Sequence, residues 1–184
     1  MQKMKRLFVG WMTMLVGLVL TQKASGQRFD WRSRIDEVVH LADSLSLLSQ
    51  QTFHINKFTK NDRSVRETWH YTLHNGRVII FEVHYFVDST EYIEVYYLDR
   101  DHVVCMEQYA ILNPHLDDDR ILWGEVGFFQ GDARRQYVTM GNPDHETGTM
   151  SEWNALNRFK GRYRELLANR PLLEKDRKGP IFGP

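Results

Sequence analysis

One cysteine, Cys105, is too few for an internal disulfide, so packing alone must hold this chain of 184 residues together. Cys105 sits in the strand-like run HVVCMEQYAI, where a buried thiol behaves as a small hydrophobe. A thiol nucleophile would need a base beside it and some exposure. Extended apolar stretches are scarce as well. The longest, Leu7 to Leu20, falls short of the ~20 residues that a membrane-spanning helix requires. Neither sign of charge prevails: 24 basic residues face 24 acidic ones, which gives no electrostatic case for a nucleic acid or an anionic membrane as partner. The chain holds no G-x-S-x-G, P-loop, GxGxxG or CxxC, no repeat of fixed period and no low-complexity tract. An enzyme is not excluded by this, because catalytic residues assemble from distant positions.

What is present at the N-terminus has the pattern of an export signal. Lys3, Lys5 and Arg6 precede the apolar run, and Ala24-Ser25-Gly26 places small residues before a cleavage point at Gln27. The expected organisation is a cleaved signal peptide at 1–26, a single α+β domain at 27–170 and a mobile C-terminal tail at 171–184. No cysteine stands at the cleavage point to carry a lipid. Cleavage removes Lys3, Lys5, Arg6 and Lys23 and no acid, leaving 20 basic against 24 acidic residues and a net charge of −4. An exported protein, periplasmic or extracellular, without stable membrane insertion is expected.

The mature part changes period twice. Residues 30–49 read as an amphipathic helix capped by Asp30, with Ile35, Val38, Val39, Ala42, Leu45 and Leu48 at helical spacing. From 51 to 141 the period is two, and short turn clusters separate seven expected strands near 52–58, 65–73, 77–87, 91–98, 102–112, 121–130 and 134–140. Turns this short imply antiparallel neighbours. A capping box at Thr149 to Glu152 then opens a second helix with Leu156, Phe159, Tyr163 and Leu166 on its apolar face, and Pro171 is expected to end it. The fold class expected is α+β: a curved antiparallel meander sheet of about seven strands flanked by an N-terminal and a C-terminal helix, with both helices on one face.

The stretch ETWHYTLHNGRVIIFEVHYF (Glu67 to Phe86) sets histidines among alternating aromatics around Asn75-Gly76. A plain two-residue loop would put Trp69 opposite Glu82 and mix aromatics with charge on each face. A three-residue loop, His74-Asn75-Gly76, pairs Leu73 with Arg77 and Trp69 with Phe81 and gathers the apolar residues on one face. That register is the expected one, since a one-residue slip reverses every side chain. It puts Thr68, His70, Glu82 and His84 on the other face. His84 would lie opposite Arg66, ~13 Å from His70 at ~3.3 Å per residue, too far to share a metal. A half-solvated wall is expected there, not a metal site.

Two other clusters suggest chemistry without completing a motif. HLDDDR (His115 to Arg120) gathers acids but lacks the spacing and glycine of an EF-hand loop. DHETGT (Asp144 to Thr149) has no second histidine four residues on from its first. Features that favour binding lie elsewhere. Gly124 and Gly127 interrupt the strand ILWGEVGFF beside Trp123, and EYIEVYYL carries Tyr92 and Tyr96. The expected function is an exported, non-enzymatic binding or interaction protein that holds a small apolar ligand or a protein partner on the concave sheet face. Tyr92, Tyr96, Trp123, Gly124 and Gly127 are its candidate ligand-binding residues; no catalytic residue, metal ligand or cofactor is assigned. The alternative is a small metal-dependent or acid/base hydrolase using Glu82 with His70 or His84, or the acids Asp117 to Asp119.

Overall fold

The computed structural model describes residues 30–58, 64–112, 120–141 and 152–177, without the side chains of 152–153 and 172–177. The signal segment 1–26, the acids Asp117 to Asp119, the DHETGT stretch, the capping hydroxyl Thr149 and the tail from 178 lie outside the described residues. By contact the chain divides into residues 1–33 and a unit Arg34–Pro184 that holds the sheet. Within the first unit, Asp30 caps the opening helix: its carboxylate accepts the Arg32 amide at 3.1 Å and the Ser33 hydroxyl at 2.6 Å.

The elements run α1 (Trp31–Ser49), β1 (Gln51–Phe58), β2 (Ser64–His74), β3 (Arg77–Val87), β4 (Thr90–Asp99), β5 (His102–Leu112), β6 (Arg120–Gln130), β7 (Ala133–Gly141) and α2 (Glu152–Arg177). The strands form one open antiparallel meander in sequence order, which is the α+β arrangement expected. At one end of the sheet the three hairpins β2–β3, β4–β5 and β6–β7 share a device. Each turns through two residues, Asn75-Gly76, Arg100-Asp101 and Gly131-Asp132, and each has a bulged residue shortly after, at Ile79, Val104 and Arg135. A bulge adds a residue on one strand and bends it.

The bulge at Ile79 corrects the expected hairpin register. Asn75 (φ 52°) and Gly76 (φ 77°) are both left-handed, as a two-residue type I′ turn requires, so His74 pairs with Arg77 and Leu73 with Val78. Past Ile79 the register slips by one, and Trp69 faces Val83 while Tyr71 faces Phe81. The two-residue turn and the unmixed faces therefore coexist. Sequence parity alone pointed to a longer loop because it made no place for the extra residue.

The placement of the helices also differs from expectation. α2 covers the face carrying Phe53, Trp69, Tyr71, Phe81, Val83, Tyr96, Leu98 and Met106, to which it adds Ala155, Leu156, Phe159 and Leu166 in one core. α1 lies on the opposite face: the Tyr97 hydroxyl bonds Asp43, and Arg34 pairs with Asp99 at 3.3 Å. The cause is a second apolar row. Ile80, Tyr97, Cys105 and Phe128 are successive cross-strand neighbours on that face, all buried, and they need a cover of their own. α1 buries a narrower stripe than its spacing suggests. Ile35 and Ala42 are buried, but Leu48 is 82% exposed. Pro171 does not end α2, which continues to Arg177. A proline there forfeits one backbone hydrogen bond near the helix end, and its own φ fits a helix.

Candidate functional site

Two inward-pointing carboxylates interrupt the aromatic core beneath α2. Strand alternation places Glu67 with Trp69 and Glu94 with Tyr96 on the covered face, and both acids are buried. A buried carboxylate needs a charged partner, and Arg162 of α2 supplies it. Its guanidinium meets Glu67 at 2.8 Å and chelates Glu94 through Nε at 2.9 Å and Nη2 at 3.0 Å. The Trp69 indole N–H donates to Glu67 at 3.0 Å, the Tyr96 hydroxyl to Glu94 at 2.6 Å, and Lys57 reaches Glu67 at 2.9 Å. Burial alone would raise the Glu67 pKa, but Lys57 and Arg162 outweigh it and hold the carboxyl below its ordinary value. Burial likewise opposes the charge on Arg162, and the two carboxylates more than restore it. Both Glu94 oxygens are thus engaged, and the Arg162 charge is spent on the protein itself.

Beside this network, between α2 and strands β3 to β6, lies a cavity of about 330 Å³. Tyr85 and Tyr92, cross-strand neighbours, stack at 5.3 Å along one wall, and Trp123 adds a further aromatic surface. Glu94, Gln108 and Arg162 contribute to the lining, with Arg158 one turn earlier on the helix. The Arg158 side chain forms no hydrogen bond or ion pair with any described residue, and neither do the hydroxyls of Tyr85 and Tyr92. Gln108 is 3% exposed, and its amide nitrogen has no acceptor among the described residues. Burial pushes the Tyr85 phenol up to about 12, with the Glu94 charge adding to it, so Tyr85 is a neutral donor at physiological pH.

Of the five residues singled out from the sequence, Tyr92 and Trp123 line this cavity. Tyr96 belongs to the core: it is wholly buried, stacks on Phe81 at 4.5 Å and gives its hydroxyl to Glu94. Gly124 faces the opposite side, where a Cβ would come within 2.9 Å of the Tyr109 ring. That glycine serves close packing by its cross-strand neighbour. Gly127 is buried between its strand neighbours Met106 and Tyr137. Sequence reading missed Glu67, Glu94, Gln108, Arg158 and Arg162. The available signal was parity: Glu94 alternates in step with Tyr92 and Tyr96, and an acid in step with core aromatics has to find a buried partner.

The histidine wall is closer-knit than the expected register allowed. His70 faces Glu82 and His84 faces Thr68, so the two imidazoles meet edge to face at 5.3 Å, where ~13 Å was expected. His84 is held between carboxylates, Nε2 to Glu82 and Nδ1 to Glu91, each at 3.1 Å. His70 Nδ1 pairs with the Thr52 hydroxyl at 2.8 Å. Among the described residues no group of three or more His, Cys, Asp or Glu side chains converges as metal ligands do. A shallow hollow of about 430 Å³ opens beside His70, His84, Thr68 and Arg66. A further hollow, about 610 Å³, lies between α1 and the Asn75 turn, but there Arg34 is already paired with Glu37 and Asp99.

Comparison of the chain with models of known families, with curated proteins and with solved structures finds no match to any of them.

Proposed function

We propose that this is an exported binding protein that holds a small ligand with an apolar, flat body in the cavity between the sheet and α2. The observation that carries the reading is the cavity itself: stacked Tyr85 and Tyr92 and the Trp123 ring form its apolar surface, and unpartnered polar groups stand at its side. Ligand sites are usually of this make-up, concave and aromatic with a few placed polar groups, and about 330 Å³ is the small end of their range. The site stands on a sheet, which keeps its side chains in fixed rotamers. Titrating the purified protein with small ring compounds, followed by the tryptophan and tyrosine resonances, tests this. Saturable shifts at Trp123 and Tyr92 that vanish in Trp123→Ala are expected; shifts confined to other faces of the molecule overturn it. Export is tested separately, by N-terminal sequencing of the secreted product, with Gln27 as the expected first residue.

A second reading has one specific support. His84 between Glu82 and Glu91, beside an open hollow, is an arrangement that supports general acid/base chemistry. It predicts hydrolysis of an activated ester that falls with His84→Gln and is unaffected by Trp123→Ala. No turnover above the buffer rate would remove it.

A further inference from the structure

We infer that the ligand of the cavity under α2 is a small organic anion, a carboxylate or phosphate ester whose charged group is taken by Arg158 and whose flat ring packs on the tyrosines and Trp123. This rests on the reading of that cavity as a ligand site and adds the chemical class. The groups that the lining leaves without partners set that class. Its one carboxylate, Glu94, is consumed: Oε1 receives Arg162, and Oε2 receives Arg162 and Tyr96. The Arg162 guanidinium is consumed in turn by Glu94 and Glu67. What remains in the lining is led by donors. The Arg158 guanidinium and the Tyr85 and Tyr92 hydroxyls meet no acceptor among the described residues. The Gln108 amide is not counted with them, because its cross-strand neighbour is the buried carboxylate Glu125.

A donor surplus of this kind selects a ligand rich in acceptors, because donors facing a part-closed cavity gain from an acceptor there and a guanidinium pairs best with a planar or tetrahedral oxyanion. Cations are disfavoured on the same count. The aromatic rings would attract one, but Arg158 and Arg162 stand beside them, and Glu94, the carboxylate among the described lining residues, is already paired with Arg162. A purely apolar ligand would fill the space and leave the donors unmet.

The test compares five probes on the intact protein: benzoate, phenyl phosphate, benzyl alcohol, benzylamine and inorganic phosphate, with Trp123 and Tyr92 resonances as readout. Benzoate or phenyl phosphate is expected to bind about tenfold or more tighter than benzyl alcohol, and benzylamine not at all. Arg158→Met should remove that preference by weakening the anions to the level of benzyl alcohol, with little change in thermal midpoint because Arg158 has no hydrogen-bond or ion-pair partner among the described residues. On the unmutated protein, rising salt should weaken the anions alone. Equal binding of alcohol and anion, or anion binding indifferent to both Arg158→Met and salt, overturns the anion assignment and leaves the cavity as a site. Inorganic phosphate binding as tightly as phenyl phosphate overturns the ring. No shift at Trp123 or Tyr92 with any probe overturns the site itself, and the inference with it.

Discussion

Strand β3 shows Phe81, Val83 and Tyr85 to α2 and shows Ile80, Glu82 and His84 to the other side, where Ile80 is buried but Glu82 and His84 stay part-exposed. Both sides hold carboxylates, yet they use them differently. Under α2, Glu67 and Glu94 are stripped of water and joined to Arg162, so charge fastens a helix to a sheet. On the open side, Glu82 and Glu91 remain part-solvated and share His84, a partner whose own charge depends on pH. Residue type does not make this difference. The covering element does, because desolvation decides whether an ion pair is a strong constraint or a weak one.

The largest test of this contrast removes the covered cation. Arg162→Met should destabilise the fold by about 3–5 kcal/mol, since it leaves two buried carboxylates without their main partner. Urea midpoints measure it. Adding Glu67→Gln and Glu94→Gln to Arg162→Met should recover part of the loss, because the neutral amides no longer need a cation. A loss below about 1 kcal/mol would mean that water reaches the network and that the two sides are alike.

Adjacent residues on β2 sharpen the same comparison. Trp69 is wholly buried, stacked between Phe53 and Phe81 at 5.6 and 6.2 Å, so Trp69→Ala should cost about 3–5 kcal/mol. One residue on, His70→Ala loses a hydrogen bond to an exposed threonine and should cost only about 0.5–1 kcal/mol. Similar losses at the two positions would dissolve the distinction between faces. Smaller than the Trp69 effect is that of the turn. Gly76→Val forces a β-branched residue to φ 77° and should cost about 1–3 kcal/mol, although nothing crowds the position. A neutral outcome would show the turn relaxing to a longer loop, with the register slipping and the two faces exchanging residues.

Much of this arrangement was legible in the sequence, and the exceptions share a cause. Period two and the turn clusters located each strand to within one residue, because alternation and turn chemistry are local properties. The sorting of Trp69, Tyr71, Phe81 and Val83 to one face and of His70, Glu82 and His84 to the other was legible too. The bulge at Ile79 was not, and the distance from His70 to His84 went astray with it. A bulge is chosen by the strain of the turn and the twist of the sheet together, and neither is visible in one strand. α1 was assigned to the wrong face because Ile80, Tyr97, Cys105 and Phe128 form a row only after three registers are fixed. The pairing of Arg162 with Glu67 and Glu94 spans 95 and 68 residues and depends on where α2 lands. Local pattern carries no such information.

The smallest effect concerns pH. Burial pulls the His84 pKa down, but hydrogen bonds and charge from Glu82 and Glu91 outweigh burial and the net shift is upward. A histidine that binds its proton more tightly folded than unfolded adds stability below its unfolded pKa, near 6.5, and loses that contribution as pH rises through the folded value. His70 shifts the other way: burial, then the neighbouring His84 charge, lowers its pKa. Its contribution is present above about 6.5 and fades as pH falls toward the folded value. The two act on either side of that point, so the unmutated protein should show a shallow maximum of stability near pH ~6.5. His84→Gln should leave only the burial-driven part of the His70 term, so that stability rises with pH up to about 6.5. His70→Gln should leave the His84 term, so that stability falls as pH rises above that point. Urea midpoints at a series of pH values read both slopes. Slopes of the same sign in the two variants would mean that the rings do not sense each other or the glutamates, and the open side of the sheet would then be a row of independent, solvated residues.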